Sequence, residues 1–304
     1  MLTLPEFRVG EPLSCGSLGV FPLFSERSLF PDRALDYLLP NEAMEGGTVV
    51  VTEVSEAGSV PEVRVRNDGD LPVLMLDGTE LRGGKQCRVL NTSVLLGGRS
   101  ETLIPVSCVE RGRWEHSPKD FSSGSHCPPS LRGIIKEGFA PGGRVVHHSD
   151  QLRVWMEIRR KHERMGVSSE TGDISDALEA HREKVERLKA EFPYPAGANG
   201  IAVALGGAVI LIDLLDKPAT LEKIWGRLQE GMLLDLLEKP DLGRQADSDV
   251  SAELYRLRNL PWYEVRSVGL GEAYRAQDNT MIADVLLHEG SLLHGSASLS
   301  YPRC

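Results

Sequence analysis

The chain has 304 residues, of which 41% are hydrophobic and 26% charged, and its formal net charge is −10. This length and composition allow a sizeable buried core and exclude a chain that is mostly disordered. The acidic charge argues against nucleic acids and anionic membranes as partners, because binding either one requires a basic surface that neutralises phosphates.

Cysteine usage and the N-terminal sequence predict a cytoplasmic protein. The five cysteines form no C-x-x-C pair, and the opening MLTLPEFRVGEP lacks the charged and apolar regions of a signal peptide. We therefore expect reduced thiols. The apolar run IAVALGGAVILI is interrupted by Gly206-Gly207, and it is shorter than the roughly 18 residues of a membrane-spanning helix.

The N-terminal half predicts short antiparallel strands. The segment SVPEVRVRNDGDLPVLMLDG alternates apolar and polar residues and is punctuated by Asp-Gly pairs. Asp77-Gly78 fits the two positive-φ positions of a type I′ turn, which predicts a hairpin with Glu80 and Arg82 on one face. Two further hairpins are predicted to turn at Gly206-Gly207 and at Glu289-Gly290.

The segment LMLDGTELRGGKQCRVLNTSV, Leu74 to Val94, holds the main candidate site. Its alternation fails after Gly83-Gly84, and two adjacent glycines in a strand indicate a bulge or the close approach of a ligand. In an enzymatic version, Glu80 or Glu110 is the general base and Lys85 stabilises developing negative charge. The substrate-binding candidates in and around this segment are Gln86, Asn91, Arg113, Trp114, Asn199 and Asp213.

Other candidates follow the strand LIPVSC. Glu110, Arg113 and Trp114 leave this strand together and could hold a base or a ribose, or could form a rim salt bridge over the indole. Cys108 falls on an apolar face, which predicts an inert buried thiol. Residues 113–144 are rich in Ser, Pro and Gly, which predicts a long loop.

The hairpin at Gly206-Gly207 contributes the remaining candidates. Counting back from the turn places Asp213 opposite Gly200 and beside Asn199, so an amide and a carboxylate meet in a geometry suited to hydroxyl recognition or to a metal. Asp216 follows on the same strand, where we expect it to be the N-cap of the next helix.

Helices cluster in the middle of the chain. Apolar residues at three- and four-residue steps predict an amphipathic helix over 174–192, and Ser149 to Met165 is its predicted partner. The pair forms a helical hairpin, residues 149–192, inserted in one principal domain that spans 1–304. A further helix is predicted from about Thr220 to Glu238 and ends before Pro240.

No metal site and no particular cofactor are predicted. The chain lacks a Walker loop, a dinucleotide-binding glycine motif, a G-x-S-x-G elbow and an H-E-x-x-H sequence. Several histidines lie in loop sequence without zinc spacing, and we interpret them as surface residues. They are His116, His126, His147 and His148.

Five segments together resemble a bacterial family, the ADP-ribosylglycohydrolase- and rhodanese-phosphatase-associated proteins, a domain of unknown function. They are LDGTELRGGKQCRVLNTSV, IPVSCVERGRW, NGIAVALGG, DLLDKPATLEKIW and SVGLGEAYR, and the resemblance extends from about residue 41 to the C-terminus. This chain has Gly84 where the family commonly has Ala, and Cys87 where it commonly has Asn. The resemblance implies genomic association with enzymes that process ADP-ribose and related phosphates.

These observations lead to an α+β fold with a mainly antiparallel or mixed sheet and to three hypotheses about the polar strand. It forms a wall of a site that binds or processes a small phosphorylated or nucleotide-derived ligand of the ADP-ribose or NAD type. Alternatively, the protein is a non-catalytic interaction module, in which residues 149–192 dock a partner or a second copy of the chain. In the third hypothesis the polar side chains only satisfy buried backbone groups.

The sharpest expectation concerns three side chains. Glu80, Lys85 and Glu110 are predicted to line one solvent-accessible pocket, with Arg113 or Trp114 at its edge, because the two-glycine kink can turn residues of different faces to one side. A buried lysine also requires a carboxylate nearby.

Overall fold

The computed structural model describes residues 2–25, 35–55, 58–59, 61–114, 121–137, 147–240, 242 and 249–300. Its helices and antiparallel sheets confirm the predicted α+β class. The strands, in chain order, are β1 (Phe7–Val9), β2 (Leu13–Cys15), β3 (Leu18–Ser25), β4 (Val49–Glu53), β5 (Glu62–Asn67), β6 (Val73–Met75), β7 (Thr79–Arg82), β8 (Arg88–Leu90), β9 (Val94–Leu96), β10 (Ser100–Cys108), β11 (Ser122–His126), β12 (Gly200–Leu205), β13 (Ala208–Leu215), β14 (Tyr263–Val265), β15 (Glu272–Gln277), β16 (Met281–His288) and β17 (Ser291–Leu299).

The helices of the described residues pack on these strands. They are α1 (Pro40–Glu45), α2 (Pro129–Glu137), α3 (Gln151–Met165), α4 (Ile174–Ala180), α5 (Arg182–Lys189), α6 (Pro218–Glu238) and α7 (Val250–Arg258). None of them is long and apolar enough to cross a bilayer.

The strands form two large sheets and one small one. The nine-stranded sheet has the order β1-β3-β12-β13-β17-β16-β15-β14, with β2 also paired to β3. The six-stranded sheet has the order β11-β7-β8-β10-β5-β4, and β6 pairs with β9 alone. The largest apolar cluster joins β12 and β13 to the buried face of α6, as the apolar runs of these segments require.

Two of the three predicted hairpins are confirmed. β12 and β13 pair around Gly206-Gly207, whose φ angles are 57° and 83°. β16 and β17 pair around Glu289-Gly290, with φ angles of 51° and 75°. Positive φ at both central positions is what a type I′ turn requires.

The third predicted hairpin, at Asp77-Gly78, is wrong. β6 pairs with β9, whereas β7 pairs with β8 and β11, so the chain passes from one sheet to another at this point. Gly78 has a φ of 80°, but Asp77 does not adopt positive φ. The physical reason is the Asp77 carboxylate, which is only 3% exposed and points inward to an ion pair with Arg132.

The register of Asp213 also differs from the count along the sequence. A bulge between Val203 and Ala204 adds one residue on β13, so Asp213 lies opposite Ile201 rather than Gly200. The predicted N-cap is wrong as well, because Lys217 is the N-cap of α6. The Asp216 carboxylate instead accepts hydrogen bonds from the side chains of Tyr37 and Thr220.

The central helices differ from a simple hairpin. α3 ends at Gly166, which adopts the left-handed conformation as the C-cap, but the predicted second helix is divided at His181 into α4 and α5. α3 packs on β10 and on α6, to which Lys161 is ion-paired through Asp235. The segment is therefore integrated into the core around it.

The predicted long loop contains two ordered elements, β11 and α2. α2 lies across β13, β17 and β16 of the nine-stranded sheet. Its buried residues include Arg132 and Lys136, two charged side chains at positions predicted to lie in a loop. This helix positions most of the charge described below.

Candidate functional site

The polar segment after β7 is a loop rather than a strand. Gly83 and Gly84 have φ angles of 121° and 54°, and a Cβ atom on Gly84 would lie 2.1 Å from the Phe121 ring. Arg113 Nη1 donates a hydrogen bond of 2.7 Å to the Gly84 carbonyl. The glycine pair therefore makes the kink that its sequence predicts, and it lets a cationic side chain reach the backbone.

The two proposed general bases, Glu80 and Glu110, are buried and ion-paired. Glu80 accepts a 2.8 Å bond from Arg82 Nε, and burial raises the pKa of Glu80. Glu110 pairs with Arg113 at 2.6 Å and accepts from the Cys87 N–H. Burial alone would raise the pKa of Glu110, but these hydrogen bonds lower it. Of the two carboxyls, Glu80 therefore has the pKa direction that suits a general acid or base.

Both carboxyls approach Cys87, whereas Lys85 lies beside Trp114. A carboxylate oxygen of Glu80, the Sγ atom of Cys87 and a carboxylate oxygen of Asp173 all lie within 4.8 Å of one another. Lys85 Nζ lies 5.6 Å from the centroid of the Trp114 ring. Among the described residues, the lining of the small cavity beside Glu80 includes neither Lys85 nor Glu110.

Arg88, at the start of β8, is a fully buried guanidinium. Its Nη1 donates to Gln86 Oε1 at 3.2 Å, and its Cζ lies 5.8 Å from the Trp114 ring centroid. Nε and Nη2 are buried and have no hydrogen-bond partner among the residues that the structure describes. Trp114 is 43% exposed, so the ring beside this guanidinium reaches the solvent.

A second group of charges lies beneath α2. The register aligns four polar residues across adjacent strands of the nine-stranded sheet: Asp213 on β13, Ser296 on β17, Asp284 on β16 and Arg275 on β15. Directly opposed residues share a face, so this is one polar row in a largely apolar sheet. The row faces Arg132 and Lys136, which are one turn apart on α2.

Arg132 joins this row to Asp77, which lies in the connection between β6 and β7. Its Nη1 and Nη2 donate to both oxygens of Asp213 at 2.7 and 2.8 Å, and Nη2 donates to Asp77 at 2.8 Å. Although burial alone would raise it, the charge of Arg132 lowers the pKa of Asp77 to about 2. Arg132 likewise holds the pKa of Asp213 well below its usual value.

A narrow cleft opens beside this charge cluster. Its lining includes Asp77, Ser93, His147, Asp284 and His294, and it has space for about one water molecule. Ser93 Oγ lies 2.7 Å from His294 Nδ1, and His294 Nε2 lies 3.5 Å from Asp213 Oδ1.

Among the described residues, two groups of side chains bring possible metal ligands close together. In the first, Asp77, Asp213 and His294, the guanidinium of Arg132 already binds both carboxylates and would repel a cation. In the second, around Cys87, burial raises the pKa of the thiol and of Asp173, which disfavours the deprotonated forms that bind a metal.

The remaining candidates have structural partners. The Asn199 side chain accepts a hydrogen bond from the Ser25 N–H and donates one to the Leu215 carbonyl. It therefore links the ends of β3 and β13, and neither of these hydrogen bonds goes to Asp213. Asn91 donates to the His147 carbonyl and accepts from Ser107. Gln86 donates to the carbonyl of Arg111.

Two histidines that we interpreted as surface residues are buried. His126 is 5% and His147 is 8% exposed, and burial lowers the pKa of His126 to about 3. His148 is exposed as expected, and His116 lies outside the described residues. The prediction of an inert Cys108 agrees with its position, because it is fully buried and burial raises its pKa.

Sequence reasoning missed four residues of the charge cluster: Asp77, Arg132, Lys136 and His294. One signal was present, because Arg132 and Lys136 are spaced four residues apart in SLRGIIKE, a sequence with helical periodicity. Nothing local indicates that they are buried, since their carboxylate partners lie 55 or more residues away.

The comparisons with known proteins identify a family but no function. No curated protein and no solved structure gives a significant match to the chain. A family model, described as the ARG and Rhodanese-Phosphatase-superfamily-associated Protein domain, ARPP-1, matches residues 6–298. Because this match covers nearly the whole sequence and agrees with the resemblance carried by the five segments, the chain belongs to the ARPP-1 family.

Proposed function

We propose that this protein binds a small phosphorylated or nucleotide-derived ligand at the segment from Gly83 to Leu90, with Arg88 as the anion-binding residue. The observation that carries the proposal is the buried guanidinium. Arg88 is 0% exposed, and among the described residues no carboxylate lies within ion-pairing distance of it. A buried charge without a counter-ion is costly, and a bound anion would offset that cost.

The direction of the unsatisfied donors supports a planar or tetrahedral anion. Nη1 of Arg88 donates to Gln86 and to the Cys87 carbonyl, whereas Nε and Nη2 make no hydrogen bond within the described part of the chain. Nε–H and Nη2–H are the parallel pair on one edge of a guanidinium, and they bind a carboxylate or a phosphate through two bonds.

The neighbours of Arg88 support a ligand with a ring. Trp114 presents a partly exposed indole, and the ammonium of Lys85 lies near the same ring. An indole can stack on a base, and a lysine can approach a second phosphate as a point charge. A nucleotide or a sugar phosphate contains both groups, which favours this class over a simple inorganic anion.

An enzymatic version would use Glu80. Burial raises its pKa, and its Oε1 has no hydrogen-bond partner among the described residues. Glu110 is held as an ion pair by Arg113, and Lys85 would stabilise negative charge near the indole. Binding is the part of the proposal that Arg88 carries, and catalysis by Glu80 is tested separately by product analysis with each ligand that binds.

Thermal-shift measurements and calorimetry with ADP-ribose, ADP, NAD and pyrophosphate test the proposal. A ligand at 100 times its Kd stabilises a folded protein by about 2.7 kcal/mol, and we expect such a shift for at least one phosphorylated compound. Arg88→Met should abolish the shift. In the absence of ligand it should not lower stability, because it removes a charge that lacks a counter-ion.

Arg64→Met is the matched control, because the Arg64 side chain is 40% exposed and pairs with Glu101 of the same sheet. This variant should keep the ligand shift. The proposal fails if the wild-type protein responds to none of the four compounds. It also fails if Arg88→Met unfolds the protein or retains the full shift.

The alternative function, an interaction module, is supported by one observation. Leu152 and Met156, one turn apart on α3, are 66% and 44% exposed. The rest of α3 packs on β10 and α6, so deleting residues 149–192 would remove part of the core. Light scattering of Leu152→Glu beside the wild-type chain is therefore the better test, and an equal mass for the two proteins would count against self-association through this pair.

A further inference from the structure

A serine, a histidine and an aspartate lie in line at the narrow cleft. Ser93 Oγ is 2.7 Å from His294 Nδ1, and His294 Nε2 is 3.5 Å from Asp213 Oδ1. Ser93 and His294 both line the cleft, and Ser93 is only partly buried. The three residues come from the β8–β9 connection, β17 and β13, so tertiary folding brings them together.

The partners of each group determine where the hydrogens lie. Asp213 is bound through both oxygens to Arg132, so it is a carboxylate and can only accept hydrogen bonds. A proton on His294 Nε2 faces the Asp213 carboxylate, and Nδ1 then presents its lone pair to Ser93 Oγ. Nδ1 also lies 3.7 Å from Asp77 Oδ1. Ser93 Oγ accepts from the Asp77 N–H at 2.9 Å, so its own hydroxyl proton can point to Nδ1.

We propose that Ser93 is a nucleophile and His294 its general base, in a relay that transfers short acyl groups from carboxylic esters to water. Asp213 is the positioning residue that fixes the ring and its tautomer. Serine, histidine and a carboxylate with these roles occur on unrelated folds and are recognised by geometry rather than by sequence position.

The chemistry balances with water as the second substrate. Ser93 Oγ attacks the ester carbonyl carbon while its proton moves to His294 Nδ1. The C–O bond to the alcohol breaks, and the alcohol leaves with that proton. Water then attacks the acyl-serine, gives its proton to Nδ1, and the carboxylic acid leaves as Ser93 recovers its hydroxyl proton.

The cleft limits the acyl group to a small one. Its wall carries apolar side chains, among them Val265, Ala273 and Leu286, but the free space is about that of one water molecule. Even an acetyl group is larger than this space, so an acyl group enters only by displacing side chains of the wall. Neither Arg88 nor Lys85 lines this cleft, so the relay and the proposed ligand site can fail independently.

An alkyl fluorophosphonate, which reacts with activated serines, tests the relay on the full-length chain. Ser93 Oγ attacks phosphorus, the P–F bond breaks, and fluoride leaves as His294 takes the proton. We expect one phosphonyl group per chain, located on Ser93 by peptide mass spectrometry. A general base contributes about 10²–10⁴-fold to such a step, so His294→Gln should slow labelling by at least about 100-fold.

Controls separate the relay from surface reactivity. Ser122→Ala removes an exposed serine on β11 and should leave labelling unchanged, whereas Ser93→Ala should abolish it without changing the circular dichroism spectrum. Labelling that is absent from Ser93 in the folded wild-type protein overturns the proposal. Equal labelling rates in folded His294→Gln and in the wild type overturn it as well.

The tautomer of His294 is a second test that needs no variant to fold. The ¹⁵N NMR shifts of histidine ring nitrogens distinguish Nε2–H from Nδ1–H, and we expect Nε2–H for His294 in the wild-type protein. In Asp213→Asn this preference should weaken, which a merely structural role of Asp213 would not cause. If the wild-type His294 ring carries its proton on Nδ1 instead, Nδ1 is the donor to Ser93 Oγ and cannot act as its base, which contradicts the proposal.

Discussion

Replacing Arg132 with methionine removes the charge that joins Asp77, in the connection between β6 and β7, to Asp213 on the nine-stranded sheet. The guanidinium is 3% exposed and makes three hydrogen bonds of 2.7 to 2.8 Å to Asp77 and Asp213. It also donates to Ser296 Oγ at 2.9 Å. Methionine is of similar length and fills most of the space, so the variant mainly leaves two buried carboxylates without their principal counter-ion.

The expected loss of stability is large. Removing one partner of a buried ion pair costs about 3–5 kcal/mol, because the charge left behind remains out of water. One kcal/mol changes the Tm of a chain approaching this size by about 2–4 °C, so Arg132→Met should melt roughly 6–20 °C below the wild type. The control is Arg153→Met, which removes a half-exposed pair with Glu137 and should cost less than about 1 kcal/mol.

The pH dependence identifies the cause. The folded-state pKa of Asp77 is about 2, below the ordinary 3.8, so its contribution to stability is present above about pH 4 and is lost as the pH falls towards 2. That difference corresponds to roughly 2 kcal/mol, at about 1.4 kcal/mol per pH unit.

Without Arg132, burial should raise the pKa of Asp77 and of Asp213, and protonation then relieves the buried charge. The difference in stability between Arg132→Met and the wild type should therefore shrink between pH 7 and pH 5 in urea titrations. A loss below 1 kcal/mol at pH 7, or a difference that does not change with pH, would refute the reasoning.

Three further predictions concern packing, charge and thiol reactivity. Gly84→Ala should destabilise the protein by about 2–4 kcal/mol in urea unfolding, since the added Cβ meets the Phe121 ring at a residue with positive φ. Gly166 also has a positive φ but lies in open space, so Gly166→Ala should cost about 1 kcal/mol. Equal losses in the two variants would contradict the packing argument. Lys161→Met should lower the free energy of unfolding by about 3–5 kcal/mol, because its buried ammonium pairs with two carboxylates of α6, and a neutral outcome would show that those carboxylates find other partners. In a Cys304→Ser background, Ellman's reagent at pH 8 should react rapidly with one thiol of the native protein, that of the half-buried Cys15. Rapid reaction of a second thiol would contradict the raised pKa values of the buried cysteines.

Local signals in the sequence predicted much of the fold. The glycine pair at 206–207 and Glu289-Gly290 can adopt positive φ, so the hairpins there depend on the turn residues themselves. The turn signal failed at Asp77-Gly78 because Asp77 forms an ion pair with Arg132, a residue far away in the sequence. The bulge on β13 was equally invisible, since nothing in NGIAVALGGAVILI marks the extra residue.

The candidate site was predictable only where its residues are close in sequence. The glycine kink and Lys85 were found because polar residues interrupt a strand pattern, and Trp114 was found because it leaves the strand LIPVSC together with Glu110 and Arg113. Arg88 was not singled out, since its importance lies in burial and in donors without partners, which are properties of the folded chain. Ser93 and His294 are separated by 201 residues, and pairs at such separations are set by topology rather than by pattern.

The charge cluster and the proposed relay depend on the same contact between the sheets. Ser93 belongs to the connection that follows β8, while His294 lies on β17 of the nine-stranded sheet, so their 2.7 Å contact crosses the interface. Arg132 is a charged link across that interface, because it binds Asp77 on one side and Asp213 on the other. Because the Asp77 N–H also holds Ser93 Oγ, a shift of Asp77 moves the nucleophile away from its base. Loss of Arg132 should therefore reduce the reactivity of Ser93 at temperatures where the variant is still folded, since a displacement of about 1 Å is enough to slow a positioned reaction by about 100-fold.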